Sequence, residues 1–278
     1  MKEFRDKVAV ITGAASGIGR ALADRCVQEG MKVVLADVEL EPLTKTEASL
    51  KASGATVLAV RTDVSQARDV EALAQRTLEA FGAVHLLCNN AGVAAEAAIW
   101  ESTLAEWQWL IGVNLWGVIH GVHVFVPLML AQETECHIVN TASLAGLISG
   151  PGLGAYKVTK HGVVTLSETL YHELAERGAK VKVSVLCPGS VNTQLMESAR
   201  NRPGHLPPPQ PHGPESRALW EAIRQDMQAG MPPIQVADAV FTALRKDQFY
   251  ILTHPDSKEA VRRRMEDILQ ERSPTPPG

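Results

Sequence analysis

Cysteine is scarce and scattered in this chain of 278 residues: Cys26, Cys88, Cys136 and Cys187 form no C-x-x-C pair. That spacing indicates neither a zinc ribbon nor a small disulfide scaffold, and dispersed thiols suit a reducing cytoplasm. Positive charge is not in surplus either. The 27 Lys and Arg stand against 31 Asp and Glu, a formal net charge of −4, without the basic excess that nucleic-acid binding needs. Long apolar runs near the start are also missing. After the charged residues 1–7, the run at 8–11 is interrupted by Gly13, too soon for a secretory h-region or a membrane span. The expectation is a cytoplasmic protein that contacts neither nucleic acid nor membrane. The chain has no internal repeat and no linker, so one domain over 1–278 is expected. With 45% hydrophobic and 21% charged residues it has the composition of a soluble globular protein.

What is present is a rhythm. Short apolar runs recur at 8–11, 33–36, 57–60, 86–88, 138–139, 181–186 and 249–252. Most lack polar alternation, as parallel strands buried on both faces do. Helix-length segments that mix apolar and charged residues separate them, among them 20–29, 67–81, 104–130 and 156–177. Strand alternating with helix predicts an α/β fold: a doubly wound Rossmann-type domain, its seven-stranded, mostly parallel sheet covered by helices on both faces. Such a sheet binds ligands at the carboxyl ends of its strands. Prolines crowd 202–214, at Pro203, Pro207, Pro208, Pro209, Pro211 and Pro214, which predicts a long loop. The polar, proline-rich end at 273–278 reads as a frayed tail.

The first run leads into Thr12-Gly13-Ala14-Ala15-Ser16-Gly17-Ile18-Gly19. Glycines here let the backbone turn sharply and approach a ligand, and free N–H groups at the following helix start attract a pyrophosphate. The second run ends at Asp37, placed to accept hydrogen bonds from ribose hydroxyls. The third ends in Asp63-Val64 and the fourth in Asn89-Asn90-Ala91-Gly92, small or amide residues suited to lie against adenine and ribose. Tyr156 and Lys160 stand one helical turn apart, on one face. A free tyrosine, with a pKa of about 10, is a poor base at neutral pH. A nearby ammonium is expected to lower that value toward the range useful for proton transfer. Ser143, at the end of the fifth strand, offers a hydroxyl to hold a substrate oxygen beside Tyr156.

Together, the Gly13 to Gly19 turn, the Asn89 to Gly92 element, Ser143 and Tyr156-Lys157-Val158-Thr159-Lys160 resemble the short-chain dehydrogenase/reductase family, over about 7–193 and more loosely to 252. The resemblance implies a nicotinamide cofactor and interconversion of an alcohol and a ketone. Tyr156 would be the general acid/base, Lys160 would also hold the nicotinamide ribose, and Asn114 would support a proton relay to the lysine. Pro188-Gly189-Ser190-Val191-Asn192-Thr193 is similar to the family's P-G-x-V-x-T element, which meets the carboxamide end of the cofactor. NAD is expected over NADP, because Asp37 would repel a 2′-phosphate and Ser16 stands where NADP-preferring relatives often carry a basic residue. The family also implies a homodimer or homotetramer.

Substrate identity rests on less. The segment 194–231, where the family places its substrate lid, carries Leu195, Met196, Leu206, Trp220, Met227 and Met231, apolar surface for a bulky hydrophobic or aromatic small molecule. No Arg or Lys falls between Ser143 and Tyr156, which disfavours an acidic substrate. His120-x-x-His123 lacks a third ligand, so no metal is expected, and Trp100, Trp107, Trp109 and Trp116 are expected to serve packing. The alternative to an enzyme is a catalytically silent NAD(P)-sensing regulator; a lyase-like relative would be expected to have its glycine turn rebuilt and Lys160 replaced by arginine.

Overall fold

The computed structural model describes residues 1–95, 97–208 and 213–276. Its elements run β1 (Val8–Thr12), α1 (Gly17–Gln28), β2 (Lys32–Asp37), α2 (Leu40–Ala52), β3 (Val57–Arg61), α3 (Ala67–Phe81), β4 (Leu86–Asn89), α4 (Leu104–Leu110), α5 (Gly117–Ala131), β5 (Cys136–Thr141), α6 (Gly154–Glu176), β6 (Val181–Cys187), α7 (Pro214–Gln228), α8 (Pro233–Lys246), β7 (Tyr250–Leu252) and α9 (Ser257–Leu269). The expected helix over 104–130 is continuous but changes pitch: a π-helical stretch, Ile111–Trp116, joins α4 to α5. Such stretches are frequent at functional sites, and this one carries Asn114. Short 3₁₀ turns, Leu144–Gly146 and Leu195–Asn201, follow β5 and β6.

The strands form one sheet in the order β3-β2-β1-β4-β5-β6-β7, and every pairing is parallel. The mostly parallel sheet expected from the apolar runs is thus wholly parallel. Its strand order reverses between β1 and β4, and a sheet wound in both directions from one point opens a crevice there. Alternation along each strand divides the core. Ala9, Ile11, Val33 and Leu35 pack toward α1 and α8 with Leu22 and Phe241. Val10, Val34 and Leu87 pack toward α3, α5 and α6 with Leu73, Phe125 and Leu170. Because successive side chains point to opposite faces, strands without polar alternation are what two covering layers require.

A buried polar chain ties the second layer to the sheet. Asn89 Nδ2 donates to Asn140 Oδ1 at 2.9 Å, Asn140 Nδ2 donates to Ser167 Oγ at 3.0 Å, and Ser167 donates to the Val163 carbonyl at 2.7 Å. It runs from β4 through β5 to α6, so the helix that carries Tyr156 and Lys160 is registered against the sheet. Asn89 is therefore structural.

The run Leu104–Ala131 is apolar, with mean hydropathy 1.6, and by length and composition it could cross a membrane. One of its faces packs Phe125 and Met129 among Val70, Leu73 and Ile138. The other leaves Leu104 and Trp116 exposed. The prolines expected to form a loop lie, where described, outside the long helices, except Pro214 at the start of α7; Pro209, Pro211 and the end of the tail, 277–278, fall outside the described residues. Phe125 is fully buried between two layers. Phe125→Ala is expected to lower the unfolding free energy by about 3–5 kcal/mol in denaturant titrations. Leu269→Ala, on an 81% exposed side chain, should change it by less than about 0.5 kcal/mol.

Candidate active site

At the crevice the chain leaves β1 through a turn that only glycine permits. Gly13 has φ +67°, and a Cβ there would lie 2.9 Å from the Ala91 Cα; a Cβ on Gly19 would lie 2.0 Å from the Gly13 carbonyl oxygen. Close approach of β1 to the segment after β4 sets this limit. Thr12 Oγ1 accepts from the Asn90 and Ala91 N–H groups at 2.9 and 3.1 Å, and Asn90 Nδ2 donates to the Thr12 carbonyl at 3.0 Å. The first turn of α1 follows with no side-chain cap from Ser16, which leaves the Ser16 hydroxyl off the N–H groups that attract an anion at a helix start.

Asp37 ends β2. Its Oδ2 accepts from the Ala15 N–H at 2.9 Å and its Oδ1 from the Glu39 N–H at 3.0 Å. Burial pushes its pKa up, and those N–H groups oppose the shift. Asp63 accepts from the Ser65 N–H and hydroxyl at 3.0 and 2.7 Å, which fixes the turn after β3. Val64 packs over Gly117, and its carbonyl accepts from His120 Nδ1 at 2.9 Å. His120 thus helps hold the segment after β3, and among the described residues no cluster of three His, Cys, Asp or Glu could seat a metal.

Tyr156, Ser143 and Lys160 converge on the same crevice. Contact with the Ser143 hydroxyl favours the phenolate of Tyr156, but burial outweighs it and pushes the pKa up to about 12. The Lys160 ammonium lies 5.5 Å from the centre of the Tyr156 ring and donates to the Thr141 carbonyl at 2.9 Å. Burial brings its pKa down to about 8. The expected lowering of the tyrosine pKa by the lysine is therefore outweighed: withdrawal from water disfavours both charged forms. Asn114 does not border the crevice. It is fully buried behind it, with Oδ1 accepting from the Val93 N–H at 2.8 Å and Nδ2 donating to the Val93 carbonyl at 2.9 Å. A Cβ on Gly92 would be 3.5 Å from both Asn114 Oδ1 and Lys160 Nζ, so the amide lies next to the lysine without a direct bond.

The crevice is one cavity of about 1200 Å³. Of the residues expected to contact cofactor, Gly13, Ser16, Gly17, Ile18, Asp37, Asp63, Val64, Asn90, Ala91, Gly92, Tyr156, Lys160, Pro188, Gly189, Val191 and Thr193 all border it. Gly19 lies beneath Gly13 and shapes the turn from behind. Thr193 packs on Gly17, which brings the segment after β6 onto the glycine turn. Of the expected lid residues, Leu195, Met196, Met227 and Met231 border the cavity. Leu206 and Trp220 pack behind them in a cluster with Trp109 and Tyr156.

Several bordering residues carry no signal in sequence. Lys157 donates to the carbonyls of Gly150, Pro151 and Gly152 at 2.8, 3.0 and 2.6 Å. Arg200 forms a bidentate pair with Glu39, both contacts at 3.0 Å. Leu219 and Ile223 on α7 border the cavity, as does His254 after β7. Lys157 closes a local turn five to seven residues away, whereas Arg200 meets Glu39 and His254 meets Gly189 across long stretches of chain. Of the tryptophans expected to serve packing, Trp109 is buried in a cluster against which Trp107 packs, and it also borders the cavity. Trp100 and Trp116 correct that expectation: they are 84% and 49% exposed and do not fill a core.

A doubly wound parallel sheet whose switch point holds a glycine cradle, a carboxylate at the end of β2 and a Tyr/Lys pair over the same crevice defines a dinucleotide-binding oxidoreductase. The family model for short chain dehydrogenases matches residues 7–204, and the chain belongs to the short-chain dehydrogenase/reductase family. It is 49% identical to a family member from Burkholderia phymatum solved in complex with NAD, with a TM-score of 0.98 over 100% of this chain and 99% of that one. It is 34% identical over 277 residues to a CLA biosynthesis dehydrogenase/reductase of Lactiplantibacillus plantarum, covering 99% of this chain and 97% of the relative. A 1-deoxy-11-beta-hydroxypentalenate dehydrogenase of Streptomyces exfoliatus is also 34% identical, over 99% of this chain and 93% of its own length.

The family uses NAD or NADP, and the cradle fits such a group: two glycines with positive φ, an uncapped helix start and a carboxylate placed beyond them. Gly19→Ala drives a methyl group into the Gly13 carbonyl. It is expected to weaken dinucleotide binding at least about tenfold in titration calorimetry, while Gly204→Ala, with no heavy atom within 4 Å, should leave it unchanged.

Proposed function

We propose that the chain interconverts a secondary alcohol and a ketone with NAD, acting on a bulky hydrophobic or aromatic substrate. The observation that carries this reading is the Tyr156 phenol, buried at the cavity wall with the Ser143 hydroxyl against it and the Lys160 ammonium beneath. When bound, the nicotinamide supplies or accepts the hydride. In reduction, Tyr156 donates its proton to the carbonyl oxygen; in oxidation, it receives the alcohol proton. Ser143, whose Oγ accepts from the Ala145 N–H at 3.1 Å, holds the substrate oxygen beside the phenol. Lys160 stabilises negative charge that develops on Tyr156 and holds a ribose hydroxyl. Asn114 keeps the backbone at Val93 in place next to the lysine and supports a proton relay to it.

NAD is preferred because Asp37 keeps lone pairs on both carboxylate oxygens for ribose hydroxyls and would face a 2′-phosphate with like charge. Arg200, the arginine among the described residues that line the cavity, is occupied by Glu39. An apolar substrate is favoured by Trp109, Ile148, Leu153, Leu195 and Met227 around the cavity. The cations bordering it are Lys160, Lys157, saturated by three carbonyls, and Arg200. A homodimer or homotetramer is supported by exposed apolar side chains on the helices that carry Asn114 and Tyr156, among them Leu104, Trp116 and Val158; a cytoplasmic setting is proposed with it.

The deciding experiment measures NADH and NADPH consumption over ketones graded from small aliphatic to bulky aromatic, with Tyr156→Phe as control. That variant is expected to bind NADH normally and lose nearly all turnover; retention of more than about a tenth of the rate removes Tyr156 as principal acid/base. NADH should bind at least about ten times more tightly than NADPH in fluorescence titrations, and equal constants would defeat the cofactor assignment. With the phenol pushed up to about 12, its proton-donating form prevails at neutral pH. Ketone reduction should therefore be flat between about pH 6 and 8, whereas alcohol oxidation, which needs the deprotonated form, should climb across that range. A flat oxidation profile would take proton removal by Tyr156 out of the slow step. Light scattering should return a multiple of the single-chain mass.

A further inference from the structure

The segment 188–193 is held by its main chain from several directions. The Leu144 N–H donates to the Pro188 carbonyl at 2.8 Å, which links the segment to the residue after Ser143. The Met231 N–H donates to the Ser190 carbonyl at 2.9 Å, and the Asn192 N–H donates to the Met231 carbonyl at 3.0 Å. The Ser190 hydroxyl donates to Asp226 on α7. The remaining direction is closed by His254, two residues past β7, a residue to which neither the chemistry proposed above nor any sequence motif assigns a part.

The imidazole engages both of its nitrogens there. The Gly189 N–H donates to Nδ1 at 3.1 Å, and the Thr253 hydroxyl meets the same nitrogen at 2.8 Å. Nε2 lies 3.1 Å from the Ser190 carbonyl. A carbonyl only accepts and a backbone N–H only donates, so Nε2 carries the proton and Nδ1 the lone pair, which the Gly189 N–H and the Thr253 hydroxyl share. The fit is also steric: a Cβ on Gly189 would lie 2.9 Å from Nδ1 and 3.0 Å from Cγ. The ring thus packs against the glycine and spans the Gly189–Ser190 peptide unit, with one acceptor for the N–H before it and one donor for the carbonyl after it. Both His254 and Gly189 border the cavity.

We infer that His254 is a positioning residue: it fixes the Gly189–Ser190 backbone that faces the nicotinamide end of the dinucleotide. This rests on the reading, implied by the family resemblance, that 188–193 meets the carboxamide end. The effect is expected chiefly at that end, since His254 holds Gly189 and Ser190 directly, whereas the segment meets the glycine turn only farther along, where Thr193 packs on Gly17.

The test compares two ligands by titration calorimetry. NADH carries the nicotinamide, and ADP-ribose has the same adenosine and pyrophosphate without it. His254→Phe keeps a flat ring and removes both polar atoms. It is expected to weaken NADH about tenfold while ADP-ribose stays within about twofold of wild type. His254→Asn keeps an acceptor near Nδ1 and loses the donor, and should fall between, at about threefold for NADH alone. Unchanged affinity for both ligands in both variants overturns the role of His254 and leaves the placement of 188–193 intact. Equal weakening of both ligands overturns that placement, and the inference with it. If His254→Phe does not fold, His254→Asn decides by the same pair: a loss confined to NADH supports the inference, and no loss overturns it.

Discussion

The close approach of two parallel strands at the point where the sheet reverses is the constraint on which the rest of the site depends. β1 and β4 lie side by side, but the chain leaves them in opposite directions. The gap beyond their ends can be closed only by backbone without side chains on one side and hydrogen-bonding groups on the other. Gly13 and Gly19 supply the first, and Asn90 with the Thr12 hydroxyl supplies the second. Once that contact is made, α1 starts at the crevice with its N–H groups directed there, and Asp37, carried on the neighbouring strand, reaches the turn through Ala15. The carboxyl ends of β5 and β6 then deliver Ser143 and the segment 188–193 to the same edge.

Burial governs the electrostatics of what is assembled there. Tyr156 is kept neutral because the phenolate would lose its water, and Lys160 is drawn toward neutrality for the same reason. The ammonium is steadied by a carbonyl dipole on β5. This balance leaves the phenol protonated and ready to donate. It also means that the influence of lysine on tyrosine, so direct when read from a four-residue spacing, is outweighed by the low polarity that burial imposes on both.

The two ends of the cavity are mechanically joined. Arg200, on the turn Leu195–Asn201, grips Glu39 beside the ribose position, and Asp226 on α7 grips Ser190 beside the opposite end. The segment that covers the substrate side is therefore tied to the cofactor side at two separated points, and bidentate pairing of a guanidinium with a carboxylate is the surface ion pair with the best-defined geometry.

The amino-acid sequence by itself determined the layered α/β class, the glycine turn, the carboxylate after β2 and the Tyr156/Lys160 pair. These are local: they follow from strand and helix periodicity, from the φ that a tight turn demands, and from a separation of one helical turn. The outward-facing Trp100, the half-exposed Trp116, the retreat of Asn114 behind the crevice and the upward shift of the Tyr156 pKa were not legible, because burial is a property of the packed chain. Tertiary structure alone decided that Arg200 meets Glu39 and that His254 lies under Gly189. Each of those contacts joins groups whose meeting is set by the register of parallel strands and the packing of helices across them, and no spacing along the chain encodes it.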